Sequence, residues 1–425
     1  MRFIYNLIFP LVFIFFIPGM IIKLIRRPGY KKTFMERFAF FSLKRKEVLS
    51  GYHGAIWVHA VSVGESVIAA ALIEKWQNID PKKKFVLSTT TTTGQALARK
   101  KVSKGVEVIY CPVDFIFFVR KVLRLIQPSM LLIFETEIWP NMIAEAKKSG
   151  AKVALVNARM SDRSSRGYYR WRCFFRPLLN TFDIIGVQTQ QDRERYSAVA
   201  PAAKIEVTHN MKFDQQVPAN FESIDLNAYF GNGEHQILLA ASTHPGEEEL
   251  IASVFSQMKI DFPLLRLVIV PRHAERGNEI VKILNELKLS FRRRSEDDGS
   301  ENKDVNVLLA DTTGEMLAFM QEAEVVIMGK SLAGQNEGHN IIEPALLGKA
   351  IVCGNVLKNF RYILNIFKNN NALITIDCDE QLVDVLKELF SDKNRCEKLG
   401  SKAQQVVKTQ QGATNNTIKS LEAIL

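Results

Sequence analysis

From residue 55 onward, short runs rich in Val, Ile and Leu alternate with longer helical patterns, and this alternation constrains the fold more than any other feature. "AIWVHAV", "KFVLSTT", "VEVIYCP", "MLLIFET", "KVALVNA", "IIGVQT" and "IEVTHN" read as buried strands. Stretches such as "ESVIAAALIEKW" and "WPNMIAEAKKSG" read as the helices between them. Parallel strands need crossovers rather than tight hairpins, so the pattern predicts a parallel sheet covered on both faces. It lapses over residues 215–235, which hold Pro218, Gly231 and Gly233 and read as a linker. A second series follows: "QILLAAST", "LRLVIVPRH", "VNVLLADT", "VVIMGKS", "AIVCGN" and "ALITID". The expected fold is therefore α/β, with two Rossmann-like doubly wound domains facing a cleft: 33–214 and 236–425, the final helix crossing back onto the first. In such folds ligands bind beyond the carboxyl ends of the strands.

The chain has 425 residues, 47% of them hydrophobic, enough for two cores. Its net charge is +11, but residues 1–50 hold ten Lys/Arg against two Glu and so carry +8 of it. The remainder is nearly balanced, which argues against a basic nucleic-acid groove in the globular part. Between Arg2 and Lys23 lie twenty uncharged residues, about the length that crosses a hydrocarbon core. Pro10, Pro18, Gly19 and Asn6 interrupt that run, and Lys23, Arg26, Arg27, Lys31 and Lys32 follow it. Residues 1–32 thus read as a membrane anchor or deep interfacial helix, with the downstream domains on the cytoplasmic side beside anionic lipid. "TFMERFAFFSLKRK" (33–46) reads either as a lipid-approach surface or as a docked amphipathic helix. Five cysteines without metal-ligand spacing indicate a reducing compartment and no disulfide framework.

Nine polar motifs follow strands, too many for helix capping alone. Glu65 in "WVHAVSVGES" reads equally as a first-turn acid or as a proton acceptor oriented by His59 or Ser62, with Gly64 allowing a tight turn. Glu135 and Glu137 in "FETEIWPN" share a face if the strand continues, and crowded carboxylates raise one another's pKa. Lys212 follows "IEVTHNM" just before the linker. In the second domain, Arg272 after "VIVP" suits a phosphate, and Gly314 in "DTTGEM" lets backbone amides approach an anion. "GHNIIEPALLG" reads as a loop entering a helix whose amino end favours phosphate, with Glu343 placed for ribose hydroxyls. "DCD" (377–379) reads as an N-cap at Asp379 rather than a metal site, and His273 and His339 lack a second ligand at metal spacing. No metal is expected. The stretch 292–304 reads as an exposed loop.

Taken in order, "WVHAVSVGE", "STTTTTGQ", "ETEIWPN", "NARMSDRS", "HNMKFD", "VPRHAER", "DTTGEM" and "GHNIIEPALLGKAIVCG" closely resemble the motifs of the Kdo (3-deoxy-D-manno-octulosonic acid) transferases of lipopolysaccharide synthesis. The chain departs from the family at Ile341 and Ile342, where Pro-Leu is usual, and at Glu337, often a second Gly. The resemblance implies the two-domain GT-B architecture, a membrane anchor, and a cytoplasmic site at the inner membrane. It also implies inverting, metal-independent transfer of Kdo from CMP-Kdo to the lipid A precursor (lipid IVA). Carried onto matching positions, Glu65 becomes the general base, and Glu135 and Lys212 the transition-state stabilisers. Pro271, Arg272, Gly314, Glu315, Met316, Asn340, Ile341, Ile342 and Glu343 become the CMP-binding residues. The alternatives from other classes are a UDP-sugar transferase or epimerase of the same fold, and a non-catalytic membrane adaptor.

Overall fold

A computed structural model describes residues 2–26, 34–217, 221, 223–296 and 304–425. Arg27, Lys31 and Lys32 of the basic run, part of the expected linker and residues 297–303 lie outside the described residues. The chain divides into two compact units, Met1–Gln215 with Gly412–Leu425, and Gln216–Gln411.

In the first unit seven strands form one sheet: β1 (Ile56–His59), β2 (Phe85–Thr89), β3 (Val106–Tyr110), β4 (Met130–Phe134), β5 (Lys152–Ala158), β6 (Ile184–Val187) and β7 (Ile205–Val207). Their order is β3-β2-β1-β4-β5-β6-β7, and every described pairing is parallel. Both faces are covered, as the apolar runs require. Ile56 and Val58 point into one core with Ile68, Leu72 and Trp76, while Trp57 points into the other with Val122 and Ile143. Each fully buried aliphatic side chain of this kind contributes about 1.5–3 kcal/mol. The order reverses between β1 and β4, so the residues after these two strands flank the position where open sheets hold ligands.

The last helix, Ala413–Glu422, belongs to this first unit. Ala413, Ile418 and Leu421 join the core around Trp76, and the Asp214 carboxylate accepts from the Gly412 amide at 2.6 Å. The acid just before the linker therefore holds the chain where it returns.

The amino-terminal helix Arg2–Arg26 contains Pro10 and Pro18 and lies on this unit at its amino end. Tyr5 donates to Asp114 at 2.9 Å, Asn141 donates to Asn6 at 2.6 Å, and Phe9 and Phe13 stack edge-on against Phe115. Phe3, Leu7, Leu11 and Phe15 are exposed. Among the described residues, no helix is long and apolar enough to cross a membrane. Of the two readings of 33–46, the structure gives a docked segment. Phe38 stacks on Phe118, Arg37 is buried over the Tyr110 ring, and Arg45 donates to the Val108 carbonyl.

In the second unit the strands are β8 (Gln236–Thr243), β9 (Leu265–Pro271), β10 (Phe291–Arg293), β11 (Val307–Leu309), β12 (Val325–Met328), β13 (Ala350–Gly354) and β14 (Ile374–Ile376). The order is β10-β11-β9-β8-β12-β13-β14, again parallel throughout the described pairings. Strand β10 takes only the first two residues of the stretch 292–304 read as a loop, a 3-10 turn (Arg294–Glu296) takes the next three, and 297–303 lie outside the described residues. Arg293 at the end of the strand pairs with buried Asp311 at 2.7 Å, and Arg294 in the turn pairs with Glu315 at 2.8 Å. The expected linker likewise contributes Leu226, Tyr229 and Phe230 to the second unit's interior through the short helix Asn227–Phe230.

Candidate functional site

In the first unit, β1 gives way to the helix Val63–Ile79 with Ser62 as its N-cap. Ser62 Oγ accepts from the Glu65 amide at 3.1 Å and donates to Glu65 Oε1 at 2.8 Å, while the Val61 amide donates to Oε2 at 2.9 Å. This is a capping-box-like arrangement in which the carboxylate reaches back to Val61, one residue before the N-cap. Glu65 is thus both a cap and a poised carboxylate, since it remains buried at 8% exposure. Burial raises its pKa and the nearby Glu135 charge adds to that, against the three hydrogen bonds that favour ionisation.

Two expectations about this corner are corrected. Gly64 lies inside the first helical turn without a positive φ, so it supplies no tight turn. A Cβ there would meet only Ser62 Oγ, at 4.0 Å. His59 does not orient Glu65. It is fully buried, bonded to Ser88 Oγ at 3.0 Å, and burial lowers its pKa to about 4. The threonine run caps a helix, with Thr91 Oγ1 accepting from Gly94. A Cβ at Gly94 would fall 2.7 Å from that oxygen and 3.4 Å from Ser66 Oγ, so a side chain there would displace the cap.

Glu135 follows β4, across the switch from Glu65. Its φ of +55° ends the strand, so Glu135 and Glu137 do not share a strand face as alternation predicted. Instead Glu135 faces two cations: Lys212 Nζ at 3.4 Å and Arg159 Nε at 3.5 Å. Glu137 accepts from Trp139 Nε1 at 3.2 Å, and its pKa is raised by burial and then by the charge of Glu65. Lys212 stands in a 3-10 turn (Met211–Asp214) that Asn210 caps and buried Asn157 ties down by accepting from the Met211 amide. Asn157 and His209 have φ of +52° and +66°. Left-handed residues that are not glycine cost of order 1–3 kcal/mol each and collect where structure serves function. The structure thus brings together all three catalytic candidates and adds Arg159, which sequence reasoning missed. Its only signal was a place just past β5, the strand beside β4.

The nucleotide candidates lie in the second unit. Pro271 ends β9, and the Arg272 amide donates to the Thr243 carbonyl at 3.0 Å, leaving its side chain exposed. Gly314 has φ of +98° with open space where a Cβ would stand, as an amide approached by an anion requires. The Glu315 carboxylate is held by Arg294 and Thr312, which lower its pKa, so its amide rather than its side chain is what the loop presents. Met316 begins the helix Met316–Glu322, which packs on the helix Ile342–Leu346. That second helix has only five residues, so the expected dipole of a helix amino end is weak there. Asn340 bridges locally, donating to Glu343 Oε1 and accepting from the Ile342 amide, both at 3.2 Å. Ile341 and Ile342 are buried and hold this loop by packing. Burial raises the Glu343 pKa, while Arg272 opposes the rise.

One residue organising these loops was not read from the sequence. Glu247 is fully buried and accepts from the amides of His244, Lys330, Ser331 and Leu332, at 2.8–2.9 Å. Asp379 is not an N-cap. Glu380 precedes the helix Gln381–Ser391, and Asp379 Oδ1 accepts from the Ala333 amide at 3.2 Å. Among the described residues no group of three or more His, Cys, Asp or Glu is arranged to hold a metal ion.

Residues 32–215 match the family model described as 3-deoxy-D-manno-octulosonic-acid transferase (kdotransferase). The chain is 27% identical over 404 residues to the 3-deoxy-D-manno-octulosonic acid transferase of Haemophilus influenzae, covering 94% of this chain and 93% of that one. It is 30% identical over 396 residues to the enzyme of that name from Rickettsia bellii, covering 93% and 92%. In fold alone it is similar to a glycosyltransferase from Rickettsia africae, with a TM-score of 0.58 and 14% identity, covering 87% of this chain and 97% of that one. Two parallel-sheet α/β units are what the GT-B architecture comprises. Sequence and fold agree: the chain belongs to the 3-deoxy-D-manno-octulosonic acid transferase family and is a glycosyltransferase.

Proposed function

We propose that this enzyme moves Kdo from CMP-Kdo to the lipid A precursor, lipid IVA, in lipopolysaccharide synthesis, with inversion and without a metal. The observation that carries the reading is the cluster flanking the switch point of the first sheet, in which buried Glu65 and Glu135 meet half-buried Lys212 and exposed Arg159. A sugar hydroxyl is a weak nucleophile. Glu65 takes its proton as the oxygen bonds to the anomeric carbon and the bond from that carbon to the CMP phosphate breaks, its electron pair leaving with CMP. A positioned base of this kind is worth about 10²–10⁴ in rate. Lys212, set against Glu135, offsets the charge that grows on the leaving phosphate.

In the second unit, Pro271, Arg272 and the amides of Gly314, Glu315 and Met316 would hold the CMP phosphate and base. Asn340 and Glu343 would hold the ribose, on a loop that buried Ile341 and Ile342 pack in place. The positive charge of Arg272 does there what a metal does in other transferases, by offsetting the departing phosphate. The exposed apolar side chains of the helix Arg2–Arg26, with exposed Phe40 and Phe117 nearby in sequence to its docking partners, would lie in anionic lipid on the cytoplasmic face of the inner membrane, where the acceptor resides. The five free cysteines accord with that compartment. Incubating the purified chain with CMP-Kdo and lipid IVA and weighing the lipid by mass spectrometry tests the reading. A mass increase of one or more Kdo residues is expected; an unaltered acceptor, or transfer from a UDP-sugar instead, would overturn it.

A further inference from the structure

His244 and His339 are 95 residues apart in sequence, and the second sheet brings them together. His244 is the first residue past β8, and His339 lies on the loop that follows β12. These strands are neighbours at the switch point of the sheet. Their Nε2 atoms are 3.0 Å apart, with the rings 5.2 Å apart and nearly parallel at 22°. Such a contact needs one Nε2–H and one bare Nε2, so the two rings share a single proton at that point; two imidazolium rings would set their N–H groups against each other.

The meeting is built rather than incidental. The Glu247 carboxylate accepts from the His244 amide and from three successive amides, Lys330 to Leu332, and so clamps both loops to one buried group. Ser242 and Lys330, flanking the clamp, have φ of +56° and +60°. Gly329 admits this approach, since a Cβ there would fall 2.3 Å from the Ser242 carbonyl oxygen.

The groups facing the pair are mostly cationic. From the end of β9 come Arg272, His273 (its ring 6.1 Å from that of His244) and Arg276, the last paired with buried Glu248 of the helix Glu247–Met258. From the loop after β12 come Lys330 and its partner Glu337. From the helix Ile342–Leu346 comes Glu343, facing Arg272. Burial first, then these cations, hold both imidazoles below the ordinary histidine range, His339 at about 4. No third His, Cys, Asp or Glu among the described residues completes a metal-holding group with the pair.

We propose that the His244–His339 pair is a proton-accepting part of the donor's anion site, neutral when empty and taking one proton from solvent when the anionic end of a cytidine nucleotide binds. This rests on the CMP-Kdo reading above. An anion entering beside Arg272 reverses the field that keeps the rings neutral, and the added proton goes to a ring Nδ1, leaving the Nε2–H···Nε2 bond intact and turning one ring into an imidazolium whose charge offsets the anion. No covalent bond is made or broken. The histidines are thus binding residues for the leaving phosphate.

The test is calorimetric titration of CMP into the full chain at pH 6.5, in two buffers of different ionisation enthalpy, for wild type, His244→Asn and His339→Gln. The CMP phosphate titrates near pH 6, so the titration is repeated at pH 8, where that phosphate is already a dianion and proton uptake reports the protein. Wild type is expected to take up about half a proton or more beyond either variant, and each variant to bind CMP roughly tenfold more weakly. Equal proton uptake in wild type and a folded variant would overturn the proposal, even if affinity fell. Two variants at opposite ends of the contact keep the test usable if one fails to fold. No CMP binding by wild type would overturn the donor reading as well, whereas binding with equal uptake overturns this inference alone.

Discussion

The two units have the same architecture and place their chemistry at the same point, yet with opposite charge. In the first, Glu65, Glu135 and Glu137 gather beyond β1 and β4 against two cations, Lys212 and Arg159. In the second, Arg272, Lys330 and three histidines gather beyond β8, β9 and β12. Both clusters rest on non-glycine residues with positive φ: Glu135, Asn157 and His209 in one, Ser242, Lys330 and Ala333 in the other. The topology decides where polar side chains gather, and the residues after each strand decide the charge found there. In the proposed reaction the carboxylates of the first unit remove a proton, and the guanidinium and imidazoles of the second receive an anion.

The comparison breaks most visibly at Glu65. Glu65→Gln is expected to lower turnover by about 10²–10⁴, measured as Kdo transfer at saturating donor. Retained turnover would reduce Glu65 to the capping role its hydrogen bonds also permit. Lys212→Met should follow with a loss of about 10²–10³ and little change in CMP affinity. A variant that instead bound CMP poorly would blur the division between units. Glu247→Ala, in the second unit, should destabilise by about 2–4 kcal/mol, because four amides lose one buried acceptor; the unfolding midpoint reads this.

The smallest effect is on pH dependence. Because burial and Glu135 raise the Glu65 pKa, the base is lost to protonation above the ordinary carboxylate range, so turnover should fall on acidification earlier than for an exposed glutamate. The stability effect has the opposite sign. With the folded pKa above the unfolded one, the folded state holds the proton more tightly, and that contribution is lost as pH rises through the raised value. Chemical denaturation across that window checks the sign in wild type against Glu65→Gln.

Most of the fold was legible because buried parallel strands announce themselves as continuous apolar runs. Strand β10 was not, since "FRR" carries its charges on an edge where Asp311 neutralises Arg293, and nothing local reveals such a partner. The site was legible as positions after strands, which is how Glu65, Glu135, Lys212 and Arg272 were found. What stayed hidden depends on long-range meetings: Arg159 with Glu135, Glu247 with the Lys330 loop, His244 with His339. The helical Gly64 and the buried His59 show the converse, where a neighbour in sequence takes no part in the geometry it adjoins.

One paired measurement tests the division between the units most directly: CMP affinity and Kdo turnover on the same preparations of Glu65→Gln and Arg272→Ala. The first should keep CMP affinity within about twofold while losing turnover, and the second should lose affinity about tenfold or more while keeping a larger share of turnover at saturating donor. If Glu65→Gln loses CMP binding, or Arg272→Ala binds CMP as wild type does, the division of labour between the two units is contradicted.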